Sequence, residues 1–103
     1  MLELSCSYIL ENIGMMRAKY LEKIIKGASN HRRIEIIDVL DKLPQQTVMQ
    51  LSERLNVNYK TLSEHLRRLA HAGLVEKNYR GAEVQHTLTD LGETILKFLR
   101  ILE

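Results

Sequence analysis

Only three residues, Asn56-Val57-Asn58, separate two segments that both read as amphipathic helices, and that spacing constrains the chain more than any other feature. The first segment opens on Thr47 with Gln50 three residues later. This is the pattern of a capping box, in which each side chain satisfies the other residue's backbone N–H. Leu51 and Leu55 then mark its apolar side, and Asn56 suits the left-handed conformation that closes a helix. Asn58 stands where the next helix needs an N-cap, and Leu62, Leu66, Leu69 and Ala70 mark one face of that helix up to Gly73. Two helices joined so briefly must turn sharply on one another, which is the helix-turn-helix arrangement.

The flanking segments complete the outline. Leu74 to Tyr79, then Arg80-Gly81-Ala82, then Glu83 to Leu88 read as a β-hairpin. Val84, His86 and Leu88 alternate with Gln85 and Thr87 as a half-buried strand requires, and Gly81 supplies the tight turn. A helix-turn-helix followed at once by a hairpin is a winged helix. Upstream, residues 2–26 read as a helix in which Leu2, Cys6, Ile9, Ile13, Met16 and Tyr20 recur at alternating spacings of four and three, a heptad-like seam. Gly14 is placed to bend or interrupt it, and Gly27 to stop it. Ser29 or Asn30 caps a second helix whose apolar positions are Ile34, Ile37, Val39, Leu40 and Leu43, and Pro44 ends it. Gln45 to Val48 is too short for a helix and is expected to pair as a minor strand. Thr89 or Asp90 starts a last helix carrying Leu91, Ile95, Leu96, Phe98, Leu99 and Leu102. The expected fold class is mainly α with a small β-hairpin (α+β). It forms one winged-helix domain: an N-terminal dimerisation helix over 1–27, a winged helix-turn-helix core over 31–88, and a C-terminal helix over 89–103.

At 103 residues and 45% hydrophobic, the chain has enough apolar content for one core without disulfide or metal staples. Cys6 is the sole cysteine, so no intrachain disulfide framework exists. On the seam it serves as a small packed hydrophobe, and pairing of two such helices would also allow an intersubunit disulfide. No apolar run reaches the roughly 18–20 residues of a membrane span. Glu3 and the lack of a basic start argue against a signal peptide, so a cytoplasmic protein is expected.

The net charge of +2 says little until it is mapped. Residues 1–53 balance. Residues 54–80 carry Arg54, Lys60, Arg67, Arg68, Lys77 and Arg80 against Glu64 and Glu76, a net of +4, and residues 81–103 carry −2. Concentration of Lys and Arg in one quarter of a chain is the footprint expected of a phosphate-binding face.

The stretch from His31 to Leu91 resembles the ArsR-type (arsenic-repressor-like) winged-helix regulators, and more loosely the MarR-type ones. The resemblance rests on Arg33-Ile34-Glu35-Ile36-Ile37, on Leu51-Ser52-Glu53-Arg54-Leu55, and above all on Ser63-Glu64-His65-Leu66-Arg67-Arg68-Leu69 running into Ala72-Gly73-Leu74-Val75. Leu88-Thr89-Asp90-Leu91-Gly92 is similar to that family's exit from the wing. The resemblance implies a homodimer that reads the major groove of double-stranded DNA with the second helix of the turn, while the wing touches the flanking minor groove or backbone. Many members sense metals through cysteines in the first helix of the turn or through His and Asp on the last helix. Here the former reads Met49-Gln50-Leu51-Ser52-Glu53-Arg54 and the latter holds no histidine, so metal sensing is not carried over.

If Leu62, Leu66 and Leu69 face the core, then Tyr59, Lys60, Ser63, Glu64 and Arg67 face away, a set able to work in a groove. The expected DNA-binding residues are Asn58, Tyr59, Lys60, Thr61, Ser63, Glu64, Arg67 and Arg68 on the helix, Arg54 before it, and Lys77, Tyr79 and Arg80 in the wing. Arg80, nearest the tip, is the candidate for minor-groove insertion. His65 lies beside the core stripe, suited to packing and helix orientation or to a phosphate contact. The expected dimer interface comprises Leu2, Cys6, Ile9, Ile13, Met16 and Tyr20 with Phe98, Leu99 and Leu102. His31, His65, His71 and His86 show no ligand spacing, so no metal site or cofactor is expected. Without a Gly-rich phosphate loop, a nucleophile elbow or a His-Glu-x-x-His motif, no enzyme is expected. Two readings of function remain. One is sequence-specific DNA binding at an inverted repeat by a homodimeric regulator, most simply a repressor. The other is a winged helix that serves as a protein-interaction module in a larger assembly.

Overall fold

Local capping chemistry sets most element boundaries. The computed structural model describes the backbone of residues 2–103 and the side chains of residues 14–103. The order is α1 (Leu2–Ala28), α2 (His31–Lys42), α3 (Val48–Leu55), α4 (Tyr59–His71), β1 (Val75–Arg80), β2 (Glu83–Leu88) and α5 (Asp90–Leu102). Asn30 caps α2 by accepting from the backbone N–H groups of Arg32 and Arg33, at 2.9 and 3.4 Å. Thr47 and Gln50 form the reciprocal capping box of α3, at 2.8 and 3.2 Å. Asn56 closes α3 at φ 53°, ψ 48°, and Asn58 caps α4. Thr89, not Asp90, is the cap of α5.

Several expectations need correction. Helix α1 runs through Gly14 unbroken, and it ends at Ala28 rather than at Gly27. Gly27 is required for another reason: a Cβ there would collide with the side chain of Ala72, so the glycine lets α1 lie against the end of α4. Strand β1 starts at Val75, and Leu74 is a fully buried core residue before it. On α2 the inward face is Arg33, Ile36, Ile37 and Leu40, while Ile34 and Leu43 are exposed. Ile36, left out of the expected apolar set, is fully buried.

The core gathers Ile24 and Ala28 of α1, Ile36, Ile37 and Leu40 of α2, Leu51 of α3, Leu62, Leu66 and Leu69 of α4, then Leu74 and Val75, and Ile95 and Leu96 of α5. The two strands pair antiparallel from Val75↔Leu88 at the root to Arg80↔Glu83 at the tip, where Gly81 turns at φ 61°. Gln46 bridges to His86 as the expected minor strand, reduced to a single pair. The His86 backbone donates to Gln46 O at 2.8 Å, and its carbonyl accepts from the N–H groups of Gln45 and Gln46, at 3.1 and 3.3 Å. Its ring Nδ1 lies 3.1 Å from Gln46 O. A carbonyl only accepts, so Nδ1 carries the ring proton.

His86 is almost fully buried, and burial pushes its pKa down despite the bond to Gln46. His65 is lowered too, first by burial and then by the Arg33 guanidinium. In the unfolded chain both titrate near the ordinary value of about 6.5. As pH falls through that value the unfolded state takes up protons before the folded state does, so the stability present above it is progressively lost. The urea midpoint is therefore expected to be lower at pH 5.5 than at pH 7.5. An unchanged or higher midpoint at pH 5.5 contradicts the assignment of two neutral histidines.

Candidate nucleic-acid interface

Because Leu62, Leu66 and Leu69 anchor α4 in the core, the opposite side of the helix is turned outward. Tyr59, Lys60, Thr61, Ser63, Glu64, Arg67 and Arg68 are all exposed. Tyr59, Lys60, Ser63, Glu64 and Arg67 line one open depression together with Lys77 of β1, so helix and hairpin contribute to a common surface. Tyr79 follows on the hairpin beside Ser63 and Val84, and Arg80 stands exposed at the tip. Two expected residues are partly committed elsewhere. The side chain of Asn58 accepts from the backbone N–H groups of Lys60 and Thr61, and Arg54 Nε donates to Gln46 Oε1 at 3.1 Å.

Within the outward set, Glu64 is a hub. Arg67 donates to it through Nε at 2.9 Å and Nη2 at 2.6 Å, and Arg68 donates through Nε at 3.3 Å. These bonds, Arg67's foremost, hold the Glu64 carboxyl down to about 2, so it is ionised throughout the neutral range. The acceptor of the outward face is thus already engaged within the chain. Arg67 uses one edge of its guanidinium on Glu64 and keeps the remaining Nη donors for another partner.

Three functional-looking features were not foreseen. Arg33 is buried, with Nη1 3.4 Å from His65 Nδ1 and Nη2 3.4 Å from Lys26 O. Its spacing with Ile36, Ile37 and Leu40 follows one helical face, and that periodicity could have revealed it. His86, read only as an alternating strand residue, pins the hairpin to the segment before α3. Arg100 of α5 reaches Asp38 and Asp41 of α2 at 3.5 and 3.1 Å, a link between distant segments that no local pattern announces.

Of the expected dimer residues, Leu2, Cys6, Ile9 and Ile13 have side chains outside the described residues. Met16, Tyr20, Phe98 and Leu102 are all exposed, and Met15, Leu21, Ile25 and Ile101 add to that apolar surface. Leu99 is half-buried against the core of its own chain. Among the described residues, no group of three or more His, Cys, Asp or Glu side chains could hold a metal ion, and no helix is long and apolar enough to cross a membrane.

The model of the family described as "Bacterial regulatory protein, arsR family" matches residues 30–77, from the cap of α2 into β1. The matched stretch, a little under half of the chain, is similar to the arsR family. The chain is similar in structure to HlyU from Vibrio cholerae N16961, with 28% identity over 84% of this chain and 94% of that one and a TM-score of 0.73. It is also similar to the homodimeric winged helix-turn-helix DNA-binding domain of Mb0332 from Mycobacterium bovis, a possible ArsR-family transcriptional regulator. There the identity is 21%, the coverage 85% and 82%, and the TM-score 0.78. The transcriptional repressor PagR of Bacillus anthracis matches at 23% identity, 82% and 98% coverage and a TM-score of 0.73. The last two likenesses speak to the fold alone. No curated protein sequence matches the chain. A fold with five helices and one hairpin is thus shared with winged-helix regulators, and the arsR-family match implies regulation through DNA binding.

Proposed function

We propose that the chain is a homodimeric, cytoplasmic transcriptional regulator that binds an inverted repeat in double-stranded DNA, acting as a repressor and without bound metal. The observation that carries this reading is the depression shared by Tyr59, Lys60, Ser63, Glu64 and Arg67 of α4 with Lys77 of the hairpin. In it a cation-rich helix face and a strand cation converge as a major groove with its adjoining backbone requires. Helix α4 enters the groove, Arg67 reads a base, Lys60 and Lys77 meet phosphates, and Arg80 reaches past the groove edge. Repression follows most simply from occupancy of the site, and the named repressor PagR, with its similar fold, is in keeping with it. The residues supplied in other arsR-type proteins for metal sensing are replaced here by Met49-Gln50-Leu51-Ser52-Glu53-Arg54 and by a last helix without histidine, which supports metal independence.

Fluorescence anisotropy with a random-sequence duplex, in chelator, at several salt concentrations tests the reading. The logarithm of the binding constant is expected to fall linearly with the logarithm of salt concentration. Absence of binding even at low salt replaces this reading with that of a protein-interaction module. Selection from a random DNA pool is then expected to return an inverted repeat with half-site centres about 10–10.5 base pairs apart or a multiple of that.

The division of labour assigns dimerisation to α1 and α5 and DNA binding to residues 31–88. Support comes from the exposed Met16, Tyr20, Phe98 and Leu102, more apolar surface than a single core uses. Equilibrium sedimentation at micromolar concentration is expected to show a dimer, and deletion of the first 15 residues to weaken both the dimer and DNA binding. A stable monomer of the full chain at that concentration rejects the assignment.

A further inference from the structure

Helix α4 has two flanks, and only one faces the hairpin. On the other, Arg33 of α2 lines an open depression with Lys60, Thr61, His65 and Arg68 of α4, while Glu64 stands on the ridge shared with the outward face. Arg33 is only 8% exposed, and its Nε is buried without a hydrogen-bond partner. Among the described residues no carboxylate pairs with it: the ion pairs of this region run from Glu64 to Arg67 and Arg68 and from Arg32 to Glu35. A guanidinium held out of water without a counter-ion is costly to the folded chain, and burial together with Arg68 presses its pKa down. Among the described residues its one side-chain hydrogen-bonding partner is the His65 ring. Arg33 can only donate, so His65 Nδ1 at 3.4 Å accepts, and the imidazole proton resides on Nε2. The depression therefore offers donors from Arg33, Lys60, Arg68 and His65, and its one carboxylate is already held by two arginines.

The dimensions of DNA supply a ligand for such a site. An α-helix with side chains is about 10–12 Å across and the major groove is about 12 Å wide, so a helix lying in it brings both flanks close to the two phosphate backbones. Lys77 serves the flank on the hairpin side. We infer that the depression between α2 and α4 binds one phosphate of the opposite DNA backbone, with buried Arg33 behind it and Lys60 and Arg68 at its exposed rim. The site rests on the proposal that α4 enters the major groove. A free phosphate ion has the same chemistry, so the test must separate the two sources.

The full-length chain is titrated with the selected duplex carrying a single neutral methylphosphonate, scanned along both strands. In the wild type, a position on the strand away from the wing is expected to cost about tenfold in affinity. In Arg33→Gln that one position loses its penalty while the others keep theirs. If every position keeps its full penalty, the inference is overturned. Because Arg33 is buried, Arg68→Gln is scanned as well and is expected to silence the same position. The Arg33 Nε–H resonance of the wild type gives a reading that needs no variant. It is expected to shift on addition of the duplex, and less with the methylphosphonate at the identified position. Duplex binding without any shift overturns the site but leaves the DNA-binding proposal standing. A shift with inorganic phosphate in a protein that binds no duplex overturns both the backbone assignment and the proposed function, and leaves a free-anion site.

Discussion

Gly92→Ala is expected to lower the melting temperature by about 10 °C or more, from a loss of about 2–3 kcal/mol. A Cβ at this position in the first turn of α5 would run into the carbonyl oxygen of Leu74 and crowd Leu88. The obstacle is backbone, so no side-chain rotation relieves it. Leu74 O already accepts the N–H of Thr89 at 3.1 Å, and Thr89 Oγ1 donates to Gly73 O at 2.6 Å. Moving α5 outward to admit the methyl group would break this joint between the end of α4 and the start of α5. Gly14→Ala makes an informative partner experiment, because among the described residues nothing lies within 4 Å of the Cβ it would add. In a helix interior that change is expected to stabilise by about 0.5–1 kcal/mol. Paired thermal melts check both signs. Equal melting temperatures for Gly92→Ala and the wild type would remove the close approach from the account.

Arg67→Ala is expected to weaken binding to the selected duplex by about ten- to hundredfold and to relax preference at one base pair, if its free edge pairs with a guanine. Glu64 holds the other edge at 2.9 and 2.6 Å, so the fork is already oriented in the chain alone. Arg80→Ala, at the exposed wing tip, is expected instead to weaken binding to all sequences alike and to reduce the salt slope by about one. One titration series against several duplexes at several salt concentrations separates the two. If neither substitution changes affinity for any duplex, the outward face of α4 is not a DNA surface.

Features encoded by neighbours in the chain were legible in the sequence. The Thr47–Gln50 box, the left-handed Asn56, the Asn58 cap and the Gly81 turn each depend on residues within one turn of backbone, and each stands where the sequence places it. The outward set on α4 was equally plain, because the Leu62, Leu66 and Leu69 stripe determines its opposite. What was missed depends on distant partners. Burial of Arg33 follows from its packing against Lys26 and His65, and the hold on His86, which the strand alternation does place inward, comes from a bridge to a residue 40 positions earlier. Gly27 reads as a helix stop until Ala72 is placed against it. Arg33 was not counted with the apolar positions of α2, although its period with Ile36, Ile37 and Leu40 puts it on the inner face.

The Gln46–His86 bridge has a mechanical consequence. It ties the root half of the hairpin to the segment that leads into α3, while the pairs from Asn78↔Gln85 outward to Arg80↔Glu83 extend beyond it. The added restraint therefore falls on the root of the hairpin, and the outer ribbon is held only by its own strand pairing. If α4 enters a major groove as proposed, a duplex whose flanking groove is narrower or wider than usual is expected to bend the ribbon tip without re-aiming α4, so that local DNA shape changes affinity and leaves base preference unchanged.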